Sequence, residues 1–141
     1  MCEEHSPYSP SHQARVKGEL PYRRMDMDTI EQVISVCAPQ GLEEIIPSTM
    51  GEPLIYKHMP RIIDLCHEHG IKLNLTTNGT FPGRGAEKWA KLIVPVGSDV
   101  KLSWNGSNCE SQSLVMINND FNKNMEDLRT FIRIRDEHAD E

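Results

Sequence analysis

Two short segments of the chain alternate strictly between apolar and polar residues, and this pattern narrows the possible folds more than any other feature. Residues 71–76 place Ile71, Leu73 and Leu75 on one side, and residues 100–104 repeat the pattern. A period of two is typical of a β-strand with one buried face. The other face of the two predicted strands is polar and carries Lys72, Asn74, Thr76, Lys101 and Ser103. Strands covered by helices on both faces would be apolar almost throughout, so we expect one face of this sheet to lack a helical layer.

Four segments have the period of an amphipathic helix. They lie approximately over residues 28–37, 56–69, 84–94 and 120–138. Asp28 and Glu31 resemble a capping box at the start of the first, and Gly70 is a good stop for the second. Because helices separate the strands, the order predicts a parallel sheet or barrel.

The remaining segments complete the predicted order. An apolar run over residues 42–48 is expected to be a further strand, and residues 3–25 have no clear period and are expected to form a loop. Strands with a polar inner face favour a barrel with a ligand-bearing interior over a doubly wound sheet. We therefore expect an α/β fold, an incomplete (βα)6 TIM-like barrel with about three parallel strands and four helices.

Ligands of such barrels bind at the carboxyl ends of the strands. Gly51-Glu52-Pro53 follows the first predicted strand, where a glycine lets a ligand approach the backbone and a carboxylate stands beside it. Asn78 follows the second strand, and Ser103 and Asn105 follow the third. Read alone, Gly51-Glu52-Pro53 is also compatible with an ordinary turn.

Length and composition exclude several classes of protein. A chain of 141 residues is long enough for one domain. The formal net charge is −6 and there is no basic run, so a nucleic-acid binder is not expected. No apolar stretch approaches the roughly 20 residues that span a bilayer. Four widely spaced cysteines without a C-x-x-C pair indicate reduced thiols and a cytoplasmic location.

In their order and spacing, these motifs resemble the radical S-adenosylmethionine (radical SAM) superfamily. Met1-Cys2 matches the last two positions of the cluster motif C-x-x-x-C-x-φ-C, where φ is aromatic or hydrophobic. Residues 50–53 match the Gly-Gly-Glu-Pro motif, with Met50 in place of the first glycine. Residues 75–79 and 103–106 match the ends of the next two strands.

The resemblance implies a 4Fe-4S cluster and S-adenosylmethionine (SAM) as cofactors. Cys2 would be a cluster ligand, beside Met1, and the motif of Gly51, Glu52 and Pro53 would hold the amino group of SAM. The polar side chains of Asn78, Ser103 and Asn105 would contact its ribose or carboxylate. The implied reaction cleaves SAM to a 5′-deoxyadenosyl radical, which abstracts hydrogen from a small-molecule or peptide substrate. The implied electron donor is a protein such as a flavodoxin or ferredoxin.

The last predicted helix, which includes residues 131–136, resembles members with an additional iron-sulfur domain that modify peptides or natural products. The first strand and first two cluster cysteines of the family have no counterpart here. We therefore expect residues 1–141 to be a fragment of the core domain that is inactive by itself. Residues 1–25 would be the end of the cluster loop and a linker, and residues 26–141 the βα repeats.

A second class remains open, a non-enzymatic α/β domain that binds a metabolite or nucleotide at its strand ends. It is motivated by the single candidate cluster cysteine. Of the other cysteines, Cys37 and Cys66 lie on apolar helix faces and are expected in the core. Cys109 lies in a polar stretch and is expected to be incidental.

Overall fold

The computed structural model describes residues 7–21, 24–47, 51–116 and 120–140. Within these ranges three strands form one parallel sheet, in which their spatial order is their order along the chain. The strands are β1 (Glu44–Ile45), β2 (Lys72–Thr77) and β3 (Gly97–Leu102). The helices are α1 (Pro10–Val16), α2 (Met27–Cys37), α3 (Met59–His69), α4 (Ala86–Ile93), α5 (Cys109–Val115) and α6 (Phe121–Ala139).

Helices α3 and α4 are the crossovers between neighbouring strands, as parallel pairing requires. Leu73 aligns with Gly97 and Thr77 with Leu102. The register shifts between Leu73 and Asn74, where β3 contains one extra residue. This sequential βαβαβ order confirms the predicted α/β class with three parallel strands in one open sheet.

Local chemistry explains where the main helices begin and end. Asp26 accepts a hydrogen bond from the Thr29 amide at 2.8 Å and so begins α2. Pro60 lies in the first turn of α3, where no amide is needed, and Gly70 ends that helix in a left-handed conformation with φ of 67°. Asp120 caps α6 by accepting from the Lys123 amide.

The core lies between one face of the sheet and the helices. Leu73 and Leu75 of β2 are fully buried, and they belong to one apolar cluster with side chains of α3, α4 and α6. The intervening residues Asn74 and Thr76 are only half-buried, and Lys101 of β3 is exposed. The predicted alternation is therefore confirmed. The polar face of the sheet carries no helical layer within the described residues.

Several predicted boundaries were wrong. The N-cap of α2 is Asp26 and not Asp28, because the helix starts at Met27, two residues earlier than the proposed capping box allows. Of the predicted strand over residues 42–48, only Glu44–Ile45 forms β1, and residue 48 lies outside the described residues. Part of the expected loop over residues 3–25 forms α1, capped by Ser9, and α5 was not predicted at all. The four predicted helices are present, together with these two short ones.

None of the helices in the described ranges is long and apolar enough to cross a membrane.

Candidate functional site

Glu52 connects the loop after β1 to the end of β2. One carboxylate oxygen, Oε1, accepts hydrogen bonds from the Leu54 amide at 3.1 Å and from Thr77 Oγ1 at 2.8 Å. The other, Oε2, accepts from the Asn78 amide at 2.7 Å. A carboxylate offers about four lone-pair positions, so three protein donors occupy most of its accepting capacity. Glu52 therefore ties together the two strand ends and also caps the short 3-10 helix Pro53–Ile55.

Thr77 is a polar residue on the apolar face of the sheet. It follows Ile71, Leu73 and Leu75 in the alternation and is 1% exposed. Its hydroxyl donates to Glu52 and accepts from the Gly79 amide at 3.2 Å. Since a buried hydroxyl without partners would be costly, these two bonds explain how Thr77 is accommodated there.

Asn78 closes a tight turn at the end of β2. Its Oδ1 accepts from the amide and the hydroxyl of Thr80, at 3.0 and 2.7 Å. This is an Asx turn, in which a side chain replaces a backbone carbonyl. The predicted site residues Glu52 and Asn78 are thus in direct contact, through the Asn78 backbone and not through its side chain.

Ser103 and Asn105 lie one strand away, in the segment after β3. The Ser103 amide donates to the Thr77 carbonyl oxygen at 2.8 Å, which extends the pairing of β2 and β3 past Leu102. The Asn105 amide donates to Gln112 Oε1 at 3.1 Å. Both predicted residues are exposed at the carboxyl edge of the sheet. They are brought near β2, but among the described residues no hydrogen bond joins their side chains to Glu52 or Asn78.

The open face of the sheet carries a polar network below these strand ends. The Asn74 side chain donates to Glu44 at 3.2 Å and accepts from Lys101 at 2.9 Å, so one residue from each strand takes part. Hydrogen bonds from Ser98 and then Asn74 lower the pKa of Glu44 below its ordinary value. The face therefore presents a polar surface whose side chains are paired with one another.

Of the four remaining predicted site residues, Gly51 and Pro53 are described, whereas Met1 and Cys2 are not, and neither is the motif residue Met50. Gly51 is exposed with φ of 93°, and Pro53 is buried at the first position of its 3-10 helix. Met1, Cys2 and Met50 lie outside the described residues.

The described cysteines do not form a cluster site. Cys37 lies on α2, Cys66 on α3 and Cys109 at the start of α5. Burial raises the pKa of the Cys66 thiol to about 11, which disfavours the thiolate that iron requires. Across residues 7–21, 24–47, 51–116 and 120–140, no three His, Cys, Asp or Glu side chains are grouped to hold a metal. These residues therefore do not fit a 4Fe-4S cluster, whereas the amides and hydroxyls at the strand ends fit a polar organic cofactor.

Sequence reasoning missed Thr77 and Gln112. A signal for Thr77 existed, because it occupies a core-facing position of an alternating strand. Gln112 lies on α5 and is 1% exposed. The capping box of Asn108 and Ser111, which begins this helix, could have indicated from the sequence that a helix contains Gln112.

Comparison with known families gives one match. The family model described as the radical SAM superfamily matches residues 2–135, nearly the whole chain. Neither the comparison with curated proteins nor the comparison with solved structures found a match. The matched range contains the motifs at the ends of all three strands, and the open parallel sheet agrees with the barrel-derived fold implied by the resemblance. The chain therefore belongs to the radical SAM superfamily.

Proposed function

We propose that this chain forms part of the SAM-binding core of a radical SAM enzyme. The general chemistry of the superfamily uses a 4Fe-4S cluster, SAM and an external electron donor. When bound, the cofactors supply a 5′-deoxyadenosyl radical that abstracts hydrogen from substrate. The observation that carries the proposal is the link from Glu52 to Thr77 and Asn78, because it holds two family motifs at one edge of the sheet.

The residues proposed for SAM have distinct tasks. The Gly51-Glu52-Pro53 segment would receive the amino group, since Gly51 exposes its backbone and Glu52 adds a negative charge. Asn78, Ser103 and Asn105 would bind ribose and carboxylate oxygens, because amides and hydroxyls both donate and accept. The amide bonds of Ser103 and Asn105 fix the backbone from which these side chains project.

Cluster binding is proposed through Cys2, with Met1 beside it. Fe–S clusters are held by thiolates, and the three described cysteines are separated on three helices. Because the described residues supply no further set of thiolates, we expect the 141-residue chain alone to retain no stable cluster. From the family resemblance we also propose a small-molecule or peptide substrate, which is modified in the reaction. The proposed electron donor is a flavodoxin or ferredoxin.

The test uses the chain together with any in-frame sequence that its gene places before Met1. After anaerobic reconstitution with iron and sulfide, we expect a visible cluster absorption and the conversion of SAM to methionine and 5′-deoxyadenosine. An upstream cysteine pair with no absorption and no cleavage would rule the proposal out.

A binding titration locates SAM at the strand ends. Ser103→Ala removes one neutral hydrogen bond and should weaken SAM binding about fivefold. The matched control is Ser113→Ala on α5, whose hydroxyl bonds only to the Glu110 carbonyl among described residues and should leave affinity unchanged. Equal affinities for all three proteins would remove Ser103 from the site.

A non-enzymatic binding domain is the second candidate, favoured by the lack of a cluster set among the described cysteines. It predicts that the chain binds a nucleoside or metabolite without iron. Saturable binding of SAM or adenosine by the iron-free protein, unchanged by reconstitution, would support this alternative.

A further inference from the structure

A groove of about 410 Å³ lies beside the strand ends, between the loop after β1 and the loop after β2. Leu54 belongs to its wall, and the Leu54 amide bonds to the Glu52 carboxylate. The groove therefore starts two residues from Glu52. Its volume falls within the range of roughly 300–1,000 Å³ that is usual for small-ligand sites.

Three cations from three segments converge on this groove. Lys57 follows the 3-10 helix, Arg84 precedes α4, and Lys88 lies in the first turn of α4. All three are exposed, and none of the described residues that line the groove is acidic. The neighbouring Glu87 is paired with Lys91 at 2.6 Å.

These three cations have no ion-pair partner among the described residues, unlike several other cations of the described surface. Ion pairs hold the side chains of Arg61, Lys91, Lys101, Lys123, Arg133 and Arg135. No ion pair joins Lys57, Arg84 or Lys88 to another described residue. In a chain whose formal net charge is −6, the groove is a local concentration of positive charge, with no acidic residue among its described lining residues.

Arg84 is oriented by an aromatic ring. Its guanidinium carbon lies 5.5 Å from the centre of the Trp89 ring, within the range of a cation–π contact. The ring itself is 2% exposed, and its Nε1 donates to the Pro82 carbonyl oxygen at 2.9 Å. Because the ring is fixed, it restrains the Arg84 guanidinium before any ligand binds. The side chain therefore loses less conformational entropy on binding than an unrestrained arginine would. Its planar set of donors matches a carboxylate or phosphate in two-point contact.

We propose that this basic groove, defined by Lys57, Arg84, Lys88 and Trp89, binds the anionic group of a ligand, a carboxylate or a phosphate. Arg84 makes the two-point contact, and the two lysines add charge from either side. The exposed Ile55 in the groove wall offers apolar surface to the body of the ligand. This binding requires neither cluster nor SAM, so its success or failure is separate from that of the proposed function.

The test follows the Trp89 indole N–H by two-dimensional NMR while sodium phosphate or glutarate is added at constant ionic strength. The chain has two tryptophans, and Trp104→Phe assigns the signals. We expect a saturable shift of the Trp89 signal and no comparable shift of the Trp104 signal. Saturation by phosphate at lower concentration identifies a phosphate ligand, and saturation by glutarate at lower concentration a carboxylate ligand.

Variants with altered charge test whether the shift of the Trp89 signal is caused by anion binding in the basic groove. Arg84→Gln should weaken binding about tenfold or more, and Arg84→Lys should lie between it and the wild type because the charge remains without the planar donors. Lys72→Gln makes the same change of charge at the opposite edge of the sheet and should bind like the wild type. A double Lys57→Gln/Lys88→Gln variant repeats the test if Arg84→Gln disturbs the Trp104 signal.

Three results would overturn the proposal. The first is the absence of saturation with both anions. The second is equal weakening by Lys72→Gln and Arg84→Gln, which would indicate general screening of charge. The third is unchanged affinity in both Arg84→Gln and the double lysine variant.

Discussion

Thr77 Oγ1 donates a hydrogen bond to Glu52 Oε1 at 2.8 Å, across 25 residues of sequence. The donor is buried on the apolar face of β2, and the acceptor stands in the loop after β1. A second bond, from the Asn78 amide to Glu52 Oε2, reinforces the first. The Glu52 carboxylate therefore links the loop after β1 to the end of β2 through one hydroxyl and one backbone amide.

Thr77→Val should destabilise the fold by about 1–3 kcal/mol. The substitution keeps the shape of the side chain but leaves Glu52 Oε1 with one donor fewer and the Gly79 amide without its acceptor. Urea denaturation of both proteins measures the difference in the free energy of unfolding. Thr77→Ser keeps the hydroxyl and should recover most of the loss. Equal stability of the valine and serine variants would contradict the role of the hydroxyl.

Glu52→Gln should lower both stability and SAM affinity. Three donors face the carboxylate, and a glutamine amide must turn its NH2 group toward at least one of them, at a cost of about 1–3 kcal/mol. If Glu52 also receives the SAM amino group, the loss of charge should weaken binding about 10- to 100-fold.

Chemical denaturation and calorimetric titration separate the two effects of Glu52→Gln. Glu126→Gln, an exposed change of equal charge on α6, serves as the control for both measurements. A destabilised Glu52 variant with wild-type SAM affinity would leave Glu52 a purely structural role.

Gly106→Ala should disrupt the contact between the segment after β3 and α5. A Cβ at this position would lie 2.3 Å from the Gln112 backbone nitrogen, so the backbone must move. The displacement should weaken the bond from the Asn105 amide to the Gln112 side chain. We expect faster hydrogen exchange at the Asn105 amide, with the Leu75 amide in β2 as the internal reference. Unchanged exchange at Asn105 would show that α5 adjusts without affecting this segment.

Cys66 should make the fold less stable in alkaline solution. Burial raises its pKa in the folded protein from an ordinary 9.0 to about 11. Because the folded pKa lies above the unfolded one, the contribution is fully present below about pH 9 and is lost as the pH rises toward about 11. A difference of two pKa units corresponds to at most about 2–3 kcal/mol.

The measurement for Cys66 is the free energy of unfolding of the wild type and of Cys66→Ala between about pH 8 and pH 11. The advantage of the wild type should shrink across this interval, whereas Cys109→Ala, at an exposed position, should follow the wild type. A constant difference between wild type and Cys66→Ala would mean that burial does not hold the thiol protonated.

The residue pattern alone was enough for the α/β class, the parallel order and the family. The alternation over residues 71–76 and the apolar stripe of helix α6 are both patterns of short period. They arise because one face of the strand or helix is buried. The stop at Gly70 and Pro60 in the first turn of α3 were also predictable, because both follow from backbone geometry within a few residues. The family motifs were recognisable because each consists of a few neighbouring residues that directly follow a predicted strand.

The tertiary structure decided which groups the candidate site residues contact. Glu52 was predicted as a group that faces a cofactor, yet its carboxylate accepts hydrogen bonds from Leu54, Thr77 and Asn78. The partners at positions 77 and 78 are about 25 residues away along the chain. A pattern of neighbouring residues cannot show that groups so far apart in sequence are in contact. A polar side chain can bind a ligand or form hydrogen bonds within the protein. Which of the two it does depends on the donors that the packed strands bring within hydrogen-bonding range.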